Sequence, residues 1–310
     1  MKKISEPIVF FGNERLATGV TTSAPTLSAL IARGYTVVAV VTNYNEAITR
    51  KSRELEVKTI AEKNNIPVLL PETLIAIKDQ LKDFNAIAGI LAAYGKMVPQ
   101  EIIDLFPLGI INIHPSLLPK HRGPTPIESV ILNGSTETGV SLMKLVKSMD
   151  AGPVYAQTNL DLNGNESKQE LADVLGKIGA DLLIKHLPSI LSKINKGKDQ
   201  LETEATYDRL ITKLDGAIDW NMRAEAIVRQ IRAYKGWPGS RSELLGKDAL
   251  ILEAEIINKT GVPGEVLVQD KQLVVCSGEQ AVNILKLKPA GKQEMTGQAF
   301  LAGYGKHLRP

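Results

Sequence analysis

The chain has 310 residues, of which 44% are hydrophobic and 23% are charged. These proportions are those of an ordinary globular protein, and they exclude a chain that is mainly disordered. The length predicts two domains, since one domain usually takes about 100–200 residues. The formal net charge of +3 is too small to indicate a polyanionic partner by itself.

Membrane insertion, secretion and metal binding are not indicated. No apolar run reaches the ~18–20 residues that a membrane span needs, and residues 1–7 lack the features of a signal peptide. Cys276 is the one cysteine in the sequence, so it cannot form an internal disulfide, and it cannot complete a zinc-finger set with the four histidines. We expect no metal site, no membrane association and a reducing, cytoplasmic compartment.

The first two thirds of the chain alternates short apolar runs with helical patterns. Such alternation predicts a Rossmann-like, mostly parallel sheet with helices on both faces, and therefore an α/β fold. Open sheets of this kind bind ligands outside the carboxyl ends of their strands. The predicted strands are 7–11, 36–41, 67–70, 86–91, 109–113, 139–145 and 153–157, and the predicted helices are 24–33, 54–65, 72–82 and 166–196.

A polar, poorly periodic stretch separates this region from the rest of the chain. It predicts domains at 1–195 and 208–310, joined by a linker at 196–207. The second domain is predicted to contain one helix followed by short strands between turns rich in glycine and proline, which indicates a small antiparallel β-barrel similar to an OB fold. The helix is predicted at 222–234 and the strands at 248–257, 264–269, 272–276 and 280–287.

Several common catalytic motifs are missing from the sequence. The turn after the first strand has a single glycine, Gly12, instead of the Gly-x-Gly-x-x-Gly of a dinucleotide site. The phosphate-binding Gly-x-x-x-x-Gly-Lys-Ser/Thr and the Gly-x-Ser-x-Gly of serine hydrolases are absent. No pair of histidines has the helix spacing of a metal site. The sequence therefore disfavours nicotinamide redox chemistry, nucleotide hydrolysis and zinc-dependent hydrolysis.

Polar side chains occur at the end of the fifth predicted strand. Asn112 and His114 are two residues apart, so strand alternation puts them on one side of the sheet, where an amide and an imidazole can both reach one carbonyl group. Pro115, Pro119 and Gly123 restrict the path of the following loop. An alternative remains open, in which the histidine only makes a hydrogen bond to the backbone of a rigid turn.

Asp150 follows the next apolar strand. Because neighbouring strand ends lie close together in a doubly wound sheet, we expect its carboxylate to contact and orient His114. Asp150 can also be explained as a turn former. Ser116 is near in sequence, but it has no base other than His114, so a nucleophile that forms an acyl-enzyme is not indicated.

Three segments occur together: Asn112-Ile113-His114, Ser116-Leu117-Leu118-Pro119-Lys120-His121-Arg122-Gly123 and Asp150-Ala151-Gly152-Pro153. Their combination resembles the signature of the 10-formyltetrahydrofolate-dependent formyltransferases. Within that superfamily the second domain separates the members. Here Ile218-Asp219-Trp220, Ile231-Arg232-Ala233-Tyr234 and Trp237-Pro238-Gly239 resemble the start of the C-terminal domain of the methionyl-tRNA formyltransferases, and the resemblance extends over about residues 7–305.

The resemblance implies formyl transfer from 10-formyltetrahydrofolate, as co-substrate, to the α-amino group of methionyl-initiator tRNA, which serves translation initiation. Asn112, His114 and Asp150 are then the catalytic residues. Asn112 and His114 are expected to donate hydrogen bonds to the oxyanion of the tetrahedral intermediate, and Asp150 to orient the imidazole. The folate site is expected to include Leu91, Ala93, Tyr94, Ser116, Leu117, Leu118 and Pro119.

A group of basic residues is expected to contact tRNA phosphates, with a solvated surface as the alternative. Within residues 223–241 of the sequence, Glu225 is the single acid that opposes them. The predicted group is Arg223, Arg229, Arg232, Lys235, Arg241, Arg50 and Lys51.

Two segments depart from the family pattern. After Gly12 the sequence reads Asn-Glu-Arg-Leu-Ala, where family members carry Thr-Pro-x-Phe-Ala. Residues 43–58 have no glycine, whereas the family has a basic, glycine-rich insertion there. These departures leave open how the acceptor stem is held. Lys120 and Arg122 can serve either the glutamate tail of folate or a tRNA phosphate.

Other functions share the same predicted site. They are formyl transfer to an amino sugar nucleotide, hydrolysis of formyltetrahydrofolate and, without catalysis, a tRNA- or folate-binding module. The complete set of amide, imidazole and carboxylate counts against the last, and the second domain favours tRNA. A monomer is expected.

Overall fold

The computed structural model describes residues 4–21, 23–43 and 55–305. They form two compact units, each with its own core. The first unit is drawn from residues 1–127, 137–162 and 169–209, and the second from 128–136, 163–168 and 210–310. The segments 128–136 and 163–168 thus belong to the second unit although they precede the boundary predicted from the sequence.

The first unit is built on a sheet of seven strands. They are β1 (Ile4–Gly12), β2 (Tyr35–Val41), β3 (Val68–Leu69), β4 (Ala88–Ala92), β5 (Ile110–His114), β6 (Glu137–Lys144) and β7 (Val154–Asp161). Their order in the sheet is β3-β2-β1-β4-β5-β6-β7. All pairs among β1 to β5 are parallel, whereas β6 is antiparallel to β5 and to β7. The predicted mostly parallel, Rossmann-like sheet is confirmed.

The helices in the same part of the chain alternate with these strands, as predicted, although residues 128–133 belong to the second unit. They are α1 (Pro25–Ala32), α2 (Glu56–Lys63), α3 (Lys78–Asp83), α4 (Gln100–Ile103), α5 (Pro126–Asn133) and α6 (Lys168–Leu191). Helix α1 begins at Pro25, a position where the missing backbone N–H of proline costs nothing. The short helices α4 and α5 were not predicted. In the described ranges, no helix has the length and apolarity to cross a lipid bilayer.

The central strands are apolar because both faces of the sheet are covered. Every residue of β4 and of β5 is buried. The ring of Phe11 packs edge-on against Tyr94 and Phe106, with ring centroids 6.0 Å and 5.8 Å apart. Burying a large apolar side chain stabilises a fold by about 1.5–3 kcal/mol, so this cluster holds the turn after β4 firmly in place.

The segment 196–207, expected as a linker, makes ordered contacts within the first unit. Lys198 forms a bridge with Val154, and Tyr207 forms one with Arg122. The backbone N–H of Arg122 donates to the carbonyl of Thr206 over 2.9 Å. This part of the chain therefore packs as an element of the first unit.

The second unit is a curled antiparallel sheet with two helices. Its elements are α7 (Ala224–Ala233), β8 (Ser240–Leu244), β9 (Lys247–Ile257), β10 (Val266–Gln269), β11 (Gln272–Cys276), β12 (Ala281–Pro289), β13 (Met295–Thr296) and α8 (Gly297–Tyr304). The strand order is β10-β11-β12-β9-β8, with β13 beside β12. Ile227 and Ile231 of α7 and Phe300 of α8 pack into its core. The predicted small antiparallel barrel is confirmed as a curled half-barrel.

Candidate active site

A cavity of about 200 Å³ lies at the carboxyl edge of the parallel strands. Asn112, His114 and Asp150 all line it, so the structure brings the three predicted catalytic residues together. A pocket for a whole small molecule usually has about 300–1,000 Å³. The cavity therefore suits the reacting part of a substrate rather than a complete cofactor.

Both ring nitrogens of His114 have defined neighbours. Nε2 lies 2.8 Å from the carbonyl oxygen of His121, and Nδ1 lies 3.8 Å from Oδ2 of Asp150. Because a carbonyl oxygen only accepts hydrogen bonds, Nε2 must carry a hydrogen. In the neutral ring Nδ1 is then the basic nitrogen, and it faces the carboxylate. Since the hydrogen of the neutral ring is already donated to His121, His114 can donate to an oxyanion only when it is also protonated at Nδ1.

Asp150 reaches the cavity from a turn and not from a strand end. Its φ is +46°, and its Oδ2 accepts the backbone N–H of Gly123 over 2.8 Å. The expected contact with His114 is observed, but the predicted route was wrong. Strand β6 is antiparallel to β5, so Lys144 at its end pairs with Ile111 at the opposite end of β5 from His114.

The residues predicted to bind folate separate into groups. Leu91, Ala93 and Tyr94 line the cavity that holds the catalytic residues. Leu118 and Pro119 line a second cavity of about 550 Å³ in the same unit.

Two further predicted folate residues, Ser116 and Leu117, make contacts with other parts of the first unit. Ser116 is fully buried, and its hydroxyl donates to the carbonyl of Lys120 over 2.7 Å. Leu117 packs against Gly139, where an added Cβ would lie 2.5 Å from its Cδ2. Their contact with folate stays a prediction.

The segment after β1 supplies wall residues that the sequence did not single out. Arg15 and Leu16 line the catalytic cavity. Their neighbour Glu14 is buried, and its carboxylate accepts the N–H groups of Thr26 (2.9 Å) and Leu27 (2.7 Å) at the start of α1. Burial raises the pKa of Glu14 to about 7. In the sequence, the one signal for this wall is that the segment after Gly12 departs from the family pattern.

Arg122 has a defined role in the fold. Its side chain is fully buried, and its guanidinium donates to Glu202, Tyr207 and Gln200 of the segment that follows α6. It therefore faces that segment, not a free phosphate or a folate tail. Lys120 is exposed on the same loop.

Most of the basic residues predicted to contact tRNA are paired. Arg223 contacts Glu279 at 2.8 Å, Arg229 contacts Glu225, and Lys235 lies 3.5 Å from Glu253. Arg232 is partly buried and donates to the carbonyl of Glu166 over 3.3 Å, and burial lowers the pKa of its guanidinium.

Arg241 lines a cavity of about 810 Å³ on the half-barrel, together with the cations Lys213 and Lys288 and the acids Glu243 and Asp248. Arg50 and Lys51 lie outside the described residues. Within the described ranges, no group of three or more His, Cys, Asp or Glu side chains is placed to hold a metal ion.

The sequence profile described as formyl transferase matches residues 15–187, and the profile of the formyl transferase C-terminal domain matches 210–305. The chain belongs to the formyl transferase family. Among its relatives, the methionyl-tRNA formyltransferase of Chloroflexus aurantiacus is 39% identical over 285 residues, which cover 89% of this chain and 92% of that protein. The enzyme of the same name from Staphylococcus epidermidis is 34% identical and covers 97% of both chains.

Solved structures of formyl transferases and related proteins share the fold. HypX from Aquifex aeolicus superposes with a TM-score of 0.68 at 19% identity and covers 98% of this chain and 50% of its own. The N-formyltransferase of Helicobacter canadensis gives a TM-score of 0.66 at 18% identity and covers 93% of this chain and 98% of its own. At such identities the likeness shows the formyl transferase architecture alone.

Proposed function

We propose that this formyl transferase moves a formyl group from 10-formyltetrahydrofolate to the α-amino group of methionyl-initiator tRNA. Relatives with that name at 33–39% identity over most of the chain support the substrate pair. The observation that carries the chemistry is the convergence of Asn112, His114 and Asp150 on one cavity.

The first step is attack of the neutral α-amine on the formyl carbon. A C–N bond forms, and the formyl oxygen becomes an oxyanion. The side-chain amide of Asn112 lines the cavity from β5 and donates a hydrogen bond to that oxygen. A donor held in place in this way contributes about 2.7–4 kcal/mol, because it does not reorganise during the reaction.

The second step moves one proton from the attacking amine to the leaving nitrogen of the folate. In the neutral ring, His114 Nδ1 and the Asp150 carboxylate are two hydrogen-bond acceptors 3.8 Å apart, so they suit one shared donor, the amine N–H. Nδ1 takes that proton, and the nearby carboxylate stabilises the resulting imidazolium. The same proton then passes to the folate nitrogen as its bond to the formyl carbon breaks.

The cavity walls fit the reacting end of the folate. Leu91, Ala93 and Tyr94 supply apolar surface beside the polar groups, which is the usual lining of a small-molecule site. On the half-barrel, Arg241, Lys213 and Lys288 outnumber the two acids of their cavity, Glu243 and Asp248, and these three cations suit the phosphates of the tRNA. A monomeric, cytoplasmic enzyme is part of the proposal.

Formylation of methionyl-tRNA tests this function. The purified chain is mixed with 10-formyltetrahydrofolate and methionyl-initiator tRNA, and the blocked amine is quantified after release of the amino acid. An amino sugar nucleotide replaces the tRNA in a parallel reaction, and a third reaction has no acceptor. Transfer to the tRNA alone is expected. Formate release without acceptor, or transfer to the sugar alone, would reject the proposal.

A further inference from the structure

The segment 198–209 contacts both loops that carry the catalytic residues. The amide of Gln200 donates to the carbonyls of Asp150 (2.8 Å) and Gly152 (2.7 Å). On the other loop, Thr206 accepts the backbone N–H of Arg122 over 2.9 Å. The segment therefore forms a common support for the turn that holds the catalytic acid and for the loop after His114.

Asp208 and His121 make a side-chain contact within this support. Nδ1 of His121 lies 3.2 Å and 3.1 Å from the two carboxylate oxygens of Asp208. Their side chains are 17% and 10% exposed, so water screens the contact little. The loops also approach closely, since an added Cβ on Gly123 would lie 2.4 Å from the carbonyl oxygen of Asp208.

The backbone of His121 connects this contact to the catalytic ring. Its φ is +58°, a left-handed conformation that an L-residue rarely adopts without support. Its N–H donates to Oγ1 of Thr206 over 2.8 Å, and its carbonyl accepts the hydrogen of His114 Nε2 over 2.8 Å. Three contacts thus hold residue 121 with its carbonyl aimed at the catalytic imidazole.

That carbonyl decides which nitrogen of His114 is basic. The protonated nitrogen of a histidine is set by the hydrogen bond that it makes. With Nε2 bonded to His121, Nδ1 is left basic beside Asp150. If the carbonyl of His121 rotates away, the His114 ring can take the other tautomer and present Nδ1–H to the Asp150 carboxylate. In that tautomer Nδ1 of His114 can no longer accept a proton.

We infer that Asp208 is a positioning residue for the formyl transfer: through the His121 side chain it fixes the carbonyl that orients His114. The inference rests on the proposed function. Because a carboxamide oxygen can also accept the hydrogen bond from the His121 ring, Asp208→Asn is expected to keep the kcat that Asp208→Ala loses.

Three variants test this role: Asp208→Ala, Asp208→Asn and, as a matched control, Asp181→Ala at an exposed acid of α6. Steady-state formylation gives kcat and the KM of each substrate, and urea unfolding confirms that each variant is folded. Asp208→Ala is expected to lower kcat about 10-fold or more, as small misplacements of catalytic groups do, with both KM values within about threefold of the wild type. Asp208→Asn and Asp181→Ala are expected to keep kcat within about threefold.

Each other outcome overturns the inference. A normal kcat for Asp208→Ala, a rise in KM alone, or an equal kcat loss in Asp208→Asn would show that the contact does not orient the ring. If Asp208→Ala does not fold, Thr206→Val removes the acceptor of the His121 N–H instead and is expected to lower kcat in the same way, and a normal kcat there rejects the idea. An inactive wild type would contradict the proposed function, which separates the two failures.

Discussion

The guanidinium of Arg122 forms a two-pronged ion pair with the carboxylate of Glu202. Nη1 donates to Oε1 over 2.8 Å and Nη2 to Oε2 over 3.0 Å. The arginine side chain is fully buried, whereas the glutamate side chain is 70% exposed. The pair is therefore unequal, because loss of the arginine removes a buried side chain together with its bonds to Glu202, Gln200 and Tyr207, whereas loss of the glutamate leaves Gln200 and Tyr207 bonded to the guanidinium.

Replacing Arg122 is expected to lower the free energy of unfolding more than replacing Glu202. Arg122→Lys cannot reproduce the planar fork that bonds Glu202, Gln200 and Tyr207, and it is expected to lower the free energy of unfolding by about 1.5–3 kcal/mol. Glu202→Gln keeps an oxygen that can accept from the guanidinium, and Gln200 and Tyr207 stay bonded to it, so this variant is expected to cost less than Arg122→Lys. Urea denaturation of both variants measures the difference, and equal costs would contradict the explanation.

Asn112→Ala removes the amide that is proposed to bind the oxyanion. Turnover is expected to fall about 10²–10³-fold, with little change in the KM of the folate because the interaction forms only in the transition state. Asn159→Ala, at an exposed position of β7, serves as the control for amide loss. If Asn112→Ala keeps normal turnover, this residue has no part in the mechanism.

Asp150→Asn separates the charge of the acid from its hydrogen bond. A carboxamide oxygen can still accept the N–H of Gly123, which now bonds Oδ2 over 2.8 Å, so the turn is expected to stay folded. The imidazolium of His114 loses its stabilising charge, and kcat is expected to fall about 10²-fold or more. Single-turnover formylation at saturating substrates measures this step, and an unchanged rate would assign the proton transfer elsewhere.

Much of the fold could be predicted because its signals are local. Buried strands such as β4 are continuous apolar runs, and period-two alternation placed Asn112 and His114 on one side of β5. Strand direction is not local. Nothing within residues 139–145 distinguishes a parallel β6 from an antiparallel one, so the convergence of Asp150 with His114 was expected for the wrong reason.

Long-range pairing also limited the prediction of the site. Arg223 and Lys235 form ion pairs with Glu279 and Glu253. Both acids are distant from α7 in sequence, so the residues around α7 could not predict these pairs. The hydrogen bond between His114 and the His121 carbonyl depends on one left-handed residue, which residue types alone do not specify.

Arg241 is expected to contribute to tRNA binding more than Arg223. It lines the cavity shared with Lys213 and Lys288, whereas Arg223 would first have to give up Glu279. Arg241→Ala is expected to reduce the slope of log affinity against log salt by about 1, and Arg223→Ala by less. Filter binding of methionyl-tRNA over a salt series measures both slopes, and an unchanged slope for Arg241→Ala would remove it from the interface.

Glu14 gives the folded state a specific dependence on pH. Burial raises its pKa from 4.5 to about 7. Between these values the folded chain keeps the proton that the unfolded chain has lost, so the contribution of Glu14 to stability falls as pH rises through this window and changes little above it. The shift corresponds to about 3 kcal/mol.

Glu14→Gln is expected to remove this dependence. The free energy of unfolding of the wild type minus that of the variant is expected to decrease by about 3 kcal/mol between pH 4.5 and pH 8, because the other titrating groups cancel in the difference. Urea denaturation at several pH values measures it, with Glu137→Gln at an exposed site of β6 as control. A constant difference would mean that Glu14 titrates alike in both states. The result bears on catalysis, since Glu14 anchors the segment whose next residues, Arg15 and Leu16, form one wall of the cavity.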